Sequence, residues 1–231
     1  MAIVDKVRRI QERILAACIR SGRDPATVRL MGVSKFHEFS EIEEAWNGGI
    51  RLFGESRVQE AVEKFTGFKT SLAGAELHMI GSLQRNKAKT AVSLFDCIQS
   101  VDRDSLVTEL GSLTSDRDSP LTILLELHTG ESSKAGFLEE DHLFRAVEHV
   151  LSYPGLALGG LMTMAPYTGD EALIRAAFRS LVSVRNKLEA RFPEGDWSGL
   201  SMGMSNDFEI AIEEGSTLIR IGTAIFGEGL T

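Results

Sequence analysis

Residues 29–55, RLMGVSKFHEFSEIEEAWNGGIRLFGE, contain one complete unit of the predicted architecture. The apolar run at 29–34 has the composition of a buried strand. The segment at 40–49 has amphipathic helical spacing, with Ser40 as its predicted N-cap and Gly48-Gly49 as its end. A second apolar run follows at 51–55. The stretch therefore predicts a strand, a helix and a second strand parallel to the first.

The same alternation continues to the end of the chain. Further strand-like runs lie at 76–81, 97–101, 121–128, 157–164, 199–204 and 217–226, with amphipathic helical patterns between them. Eight such units without a long polar linker predict a closed (β/α)8 barrel of the TIM type, as a single domain over residues 1–231. The alternative is an open doubly wound sheet, but its first strand should precede a GxGxxG fingerprint, and GVSKFHEF has one glycine.

Composition excludes several classes of function. The chain has 231 residues, of which 43% are hydrophobic and 25% charged, as is typical of a soluble globular protein. Its net charge of -8 argues against a nucleic-acid partner. No apolar run approaches a membrane span, and the N-terminal segment predicts an extra amphipathic helix rather than a secretory signal. Because Cys18 and Cys97 form no CxxC pair, we expect reduced thiols, no metal site and a cytoplasmic location.

Candidate site residues follow the predicted strands. In such barrels the working residues lie at the C-terminal strand ends, and phosphate sites favour the loops after strands 7 and 8. Lys35 directly follows the first strand, and Ser205 follows the seventh as a predicted helix N-cap. Arg220 lies in the last strand, two residues before the turn at Gly222-Thr223. An amine, a phosphate cradle and a cation are what pyridoxal phosphate (PLP) requires.

Five segments resemble the pyridoxal phosphate homeostasis family, also called YggS/PROSC-like proteins. They are GVSK, FGESRVQE, HMIGSLQRNK, GGLMTMAPY and LSMGMSNDFEIAIEEGSTLIRIGTAIFG, and the resemblance runs from about residue 33 to residue 227. It implies a barrel like the alanine racemase N-terminal domain, with PLP held as a Schiff base on Lys35. It further implies that Ser205, Gly222 and Thr223 hold the phosphate and that Arg220 faces the pyridine nitrogen.

The chain departs from the family pattern at two positions. Ser56 and His128 stand where the family usually has asparagine, so polar contacts around the cofactor should differ. The segment GESSKAG at 130–136 is similar to a P-loop, but its order of residues is wrong, and a polar loop is the better interpretation. The resemblance nevertheless places a lysine at Lys134 in the family. His78, on the third predicted strand, is equally compatible with the mouth and with the barrel interior.

Two functions from different classes fit these residues. The resemblance implies a PLP-binding protein of intracellular PLP homeostasis, which stores, buffers and delivers the cofactor without being an enzyme. We expect a monomer whose partners are apo PLP-dependent enzymes, with no nucleic-acid or membrane partner. The alternative is a small PLP-dependent amino-acid racemase or a related fold-type III enzyme.

Racemisation needs two acid/base groups on opposite faces of the substrate, of which Lys35 would be one. In the racemase the second is a tyrosine from a separate β-domain. Because this chain stops at Thr231, just after the eighth predicted strand, we expect no such domain. Tyr167, after the sixth strand, is the candidate that remains. Arg220 beside the ring nitrogen would disfavour its protonation and hence carbanion chemistry. The sequence therefore favours the carrier.

Overall fold

Eight parallel strands close into a barrel in the computed structural model, which describes residues 1–66, 71–115, 117–129 and 136–229. The strands are β1 Arg29–Val33, β2 Leu52–Glu55, β3 Glu76–Met79, β4 Cys97–Val101, β5 Leu121–Glu126, β6 Leu156–Met162, β7 Gly199–Ser201 and β8 Leu218–Ile221. Each strand pairs with the next in sequence, and β8 closes the barrel on β1, with Met31 opposite Arg220. The predicted (β/α)8 barrel is confirmed, and the open sheet is wrong.

Helices cover the outside of the barrel. Those in the described ranges are α1 Ile3–Ser21, α2 Phe39–Asn47, α3 Val58–Phe65, α4 Ala88–Leu94, α5 Asp104–Leu113, α6 Glu140–Leu151, α7 Glu171–Arg191 and α8 Phe208–Glu213. The predicted N-terminal helix α1 packs against α2 and α8. It therefore occupies the place of a helix after β8. The chain itself forms turns from 222 to 229. In the part of the chain described, every helix lacks the length or the apolar content that a bilayer span needs.

Alternation along the strands separates two layers of packing. On β8, Ile219 and Ile221 belong to the large apolar cluster between strands and helices. Leu218 instead joins a small cluster with Met31, and Arg220 is buried on the same side of the strand as Leu218. Buried polar side chains also occur on other strands, such as His78 on β3 and Gln99 on β4. The barrel interior is therefore partly polar, whereas the layer beneath the helices is apolar.

Two predicted helix N-caps are wrong by two residues each, since the N-caps are Glu38 and Asp207. Helix α2 begins at Phe39, where Glu38 and Glu41 form a capping box, so Ser40 lies inside the first turn. Helix α8 begins at Phe208, three residues after Ser205. The Ser205 hydroxyl instead accepts a hydrogen bond from the Ala224 backbone N–H at 3.4 Å. A contact between the loops that follow β7 and β8 therefore replaces the predicted cap.

Candidate functional site

The C-terminal ends of the strands surround a cavity of about 990 Å³, which we call the mouth cavity. The structure brings every predicted cofactor-binding residue to it: Lys35, Ser205, Arg220, Gly222 and Thr223. These residues come from three loops and one strand, which are adjacent because β7, β8 and β1 are neighbours in the closed barrel. The cavity volume falls within the range of small-molecule sites.

Lys35 lies on a sharp turn at the end of β1. The Ser34 carbonyl accepts a hydrogen bond from the His37 N–H at 3.1 Å, which places Lys35 and Phe36 at the two central positions. Phe36 has a φ of 67°, the left-handed value that the third residue of a type II turn requires. Glycine usually occupies that position, because a side chain there is strained. Contacts with other parts of the protein must therefore maintain the strained backbone of Phe36, directly next to Lys35.

Arg220 provides a buried positive charge at the floor of the mouth cavity. Its residue is 4% exposed, and its guanidinium donates to Ser201 Oγ at 2.7 Å and to the Thr163 carbonyl at 2.8 Å. Burial lowers the pKa of Arg220 to about 10, against the opposing effect of Asp207 and Glu126. The group is therefore charged at neutral pH and fixed in orientation by two hydrogen bonds.

Behind Arg220, hydrogen bonds continue through the barrel. Ser201 Oγ accepts from Arg220, so its own proton goes to Gln99 Oε1 at 2.6 Å. The Gln99 amide nitrogen then donates to His78 Nδ1 at 2.8 Å, which leaves the imidazole proton on Nε2. His78 Nε2 lies 3.4 Å from Glu76 Oε2. We call this series, Arg220–Ser201–Gln99–His78–Glu76, the interior hydrogen-bond chain.

The interior hydrogen-bond chain settles the position of His78. This residue lines a second cavity of about 590 Å³ at the opposite end of the barrel, together with Glu76 and Arg29. His78 is buried and does not line the mouth cavity. Of the two positions that the sequence allowed, the interior one is correct.

Glu126 is a site residue that the sequence reasoning missed. It is the last residue of β5, is 3% exposed and lines the mouth cavity. Burial raises the pKa of Glu126 to about 7, an effect that Asp102 increases and Arg220 opposes. The available signal was the same one that identified Lys35, namely a charged residue at the end of an apolar strand.

The loops after β7 and β8 form the wall on which Ser205 and Thr223 lie. Asp207 Oδ1 accepts from the Met204 N–H at 2.6 Å and so fixes the loop after β7. A Cβ at Gly222 would make only ordinary contact, 3.5 Å from Val33, so packing within the chain does not require glycine there. This wall offers neutral hydroxyl donors and a backbone that a ligand can approach closely.

The remaining predicted positions divide between this site and other places. Ser56 lines the mouth cavity and packs on Gly81, where an added Cβ would lie 2.3 Å from the Ser56 carbonyl. His128 is not among the lining residues, although it lies two positions beyond Glu126. Tyr167 lines the cavity but is 83% exposed. Lys134 falls outside the described residues.

The barrel and its lysine-bearing mouth define a class of domain. The family described as alanine racemase, N-terminal domain, matches residues 8–229. A pyridoxal phosphate homeostasis protein of Aquifex aeolicus is 37% identical over 228 residues, which cover 99% of each chain. A protein of the same name from Escherichia coli K12 is 37% identical over 229 residues, with 97% and 96% coverage. The chain belongs to the pyridoxal phosphate homeostasis protein family, as its sequence segments predicted.

A solved relative extends the comparison to three dimensions. PipY of Synechococcus elongatus, in a structure with PLP bound, superimposes with a TM-score of 0.82 at 35% identity. The match covers 94% of this chain and 100% of PipY. The fold, and not only the sequence, is therefore shared along nearly the full length.

Proposed function

We propose that the mouth cavity binds PLP and that residues 1–231 act as one PLP-binding domain in PLP homeostasis. The observation that carries this proposal is the convergence of Lys35, Arg220 and the hydroxyls of Ser205 and Thr223 on one cavity. The names of the relatives and the PLP-bound PipY structure support it.

The residues present fit PLP in charge and in hydrogen-bonding capacity. Ser205 and Thr223 would hold the phosphate through their hydroxyls, with the Gly222 backbone close to it. Arg220 would face the ring nitrogen, as the resemblance to the family implies. Its hydrogen bonds to Ser201 and Thr163 use two of the five guanidinium N–H donors and leave others for a ligand. Lys35 would hold the aldehyde carbon through its amine. When bound, PLP supplies an aldehyde that condenses with amines and a ring that can withdraw electrons.

We further propose storage and delivery rather than turnover. A guanidinium that is charged at neutral pH opposes protonation of the ring nitrogen, which carbanion chemistry needs. Arg220 is held in that role by Ser201 and Thr163 rather than free to move away. On the same proposal, the protein is a cytoplasmic monomer that supplies apo PLP-dependent enzymes.

One observation favours an enzyme as the second candidate. Glu126 lines the same cavity as Lys35, and its raised pKa of about 7 suits an acid/base group. An amino-acid racemase would therefore rely on Glu126 rather than on the exposed Tyr167.

Absorbance spectroscopy with borohydride reduction tests PLP binding. Wild-type protein with PLP should be yellow, and reduction followed by peptide mapping should find the label on Lys35. Lys35→Ala should remain folded and colourless, whereas Lys89→Ala, which changes an exposed lysine of α4, should behave as wild type. A label on Lys87, Lys134 or another lysine in preference to Lys35 would contradict the assignment.

A further inference from the structure

Helix α3 holds the turn of Lys35 from both sides. Lys64 Nζ donates to the Ser34 carbonyl at 2.8 Å, on the N-terminal side of Lys35. Glu60 Oε1 accepts from the Phe36 N–H, on the C-terminal side. Lys64 and Glu60 are also paired with each other, at 2.5 Å. We call these two residues the α3 clamp.

A buried carboxylate supports the α3 clamp from the end of β2. Glu55 is fully buried, and its Oε1 accepts from Ser34 Oγ at 2.7 Å and from Lys64 Nζ at 3.2 Å. Its Oε2 is buried and has no hydrogen-bond partner among the residues that the structure describes. Burial raises the pKa of Glu55 to about 7, while Lys64 and Ser34 oppose that rise. The Lys64 ammonium therefore has a fixed position between two carboxylates and the Ser34 carbonyl.

The conformation that the α3 clamp maintains is strained. A left-handed φ at a residue with a bulky side chain persists only where surrounding contacts over-determine it. Phe36 has that conformation, and its ring centroid lies 5.8 Å from Lys35 Nζ. Release of Phe36 would therefore change both the backbone next to Lys35 and the surroundings of its amine.

We propose that Glu60 and Lys64 are positioning residues, which hold the Lys35 turn in its strained conformation and thereby set how fast the Lys35 amine captures an aldehyde. This inference rests on the proposed PLP site, although neither residue lines the mouth cavity. Their effect on the amine is exerted through the backbone of Ser34 and Phe36.

The rate of PLP capture, followed by absorbance, tests the proposal. Glu60→Ala should slow capture by about tenfold, which corresponds to about 1.4 kcal/mol, and Lys64→Met should slow it as well. Glu63→Ala is the matched control, because Glu63 is an exposed glutamate on the same helix. Glu63→Ala should leave the rate unchanged.

A second substitution separates positioning from general damage to the fold. Glycine adopts a positive φ without strain, so Phe36→Gly combined with Glu60→Ala should restore most of the wild-type rate. Thermal unfolding of each variant reports structural damage separately. Capture by Glu60→Ala at the wild-type rate, or the absence of rescue in the double variant, would overturn the proposal.

Competitive amine labelling separates this inference from the proposed function. A small acylating reagent, used without PLP, gives the reactivity of Lys35 relative to the exposed Lys89 by mass spectrometry. This ratio should change in Glu60→Ala and return in the double variant. If the ratio changes in this way while the wild type fails to bind PLP, the proposed function is wrong, but the positioning role of Glu60 and Lys64 is supported. An unchanged ratio in Glu60→Ala refutes the positioning role of the α3 clamp, whatever the result with PLP.

Discussion

Replacing Glu126 by glutamine should stabilise the protein at alkaline pH. Glu126 is almost fully buried at the end of β5, and its pKa rises from an ordinary 4.5 to about 7 mainly because burial disfavours the charged carboxylate. Glutamine has nearly the same shape and cannot ionise. The substitution therefore removes the cost of a buried charge without opening a cavity.

The pKa difference gives both the size and the sign of the effect. Between pH 4.5 and about 7 the native state binds more protons at Glu126 than the unfolded chain does, so its contribution to stability falls as pH rises. Below this window both states are protonated, and above it the full cost is present. One pKa unit is about 1.4 kcal/mol, so the loss in the wild type amounts to about 3 kcal/mol. The attraction of Arg220 is already part of that pKa.

Urea unfolding of cofactor-free protein at pH 5 and at pH 8 measures this effect. The free energy of unfolding of Glu126→Gln minus that of wild type should increase by about 2.5 kcal/mol from pH 5 to pH 8, because part of the loss has already occurred at pH 5. Glu189→Gln, at an exposed position of α7, controls for the loss of one acidic group. A difference that stays constant with pH, or that falls towards pH 8, would refute the assignment of a raised pKa to Glu126.

Two further predictions concern the cofactor. In equilibrium dialysis, the double variant Ser205→Ala and Thr223→Val should retain PLP less well than Arg220→Ala does. The reason is that several charge-assisted hydrogen bonds of about 1.5–3 kcal/mol each hold the phosphate. The reverse order would mean that the phosphate lies elsewhere. Chiral chromatography should find no racemisation of common amino acids beyond that of free PLP, and no transamination should be detected. Lys35-dependent turnover of even about 1 s⁻¹ would contradict the carrier function, and Glu126→Gln and Tyr167→Phe would then identify the second acid/base group.

The barrel was predictable because each strand and helix has its own hydrophobic period, and eight such units leave few alternatives. Site residues next to strand ends followed from that topology, since every C-terminal strand end faces the same mouth. Glu126 was missed because the run at 121–128 was interpreted as strand throughout, although β5 ends at Glu126 itself. The predicted strand was two residues too long, so Glu126 was not recognised as a carboxylate at a strand end.

Contacts between distant segments explain the other differences. Ser205 follows the local rule for an N-cap, but its hydroxyl is used by Ala224, nineteen residues later in the chain. The left-handed Phe36 has no sequence signal, because phenylalanine is not a residue that favours positive φ. The Phe36 backbone N–H donates to Glu60, which lies on α3, beyond the whole of α2 and β2. Local rules do not detect partners that the closed fold brings together.

The interior hydrogen-bond chain gives the barrel a polarity that extends from one cavity to the other. Each of its first members donates to the next, from Arg220 through Ser201 and Gln99 to His78, so no link can reverse alone. Burial lowers the pKa of His78, against the effect of Glu76 and Asp96, and this keeps Nδ1 free to accept. A second proton on His78 would force the Gln99 amide to turn over and would present Ser201 with two donors. Ser201 Oγ can accept from both, because a hydroxyl has two acceptor lone pairs, but its own proton would lose Gln99 as acceptor. Glu76, at the opposite end of the barrel, faces the Nε2 proton of His78, so the direction of the hydrogen bonds behind Arg220 depends in part on a residue that does not line the mouth cavity.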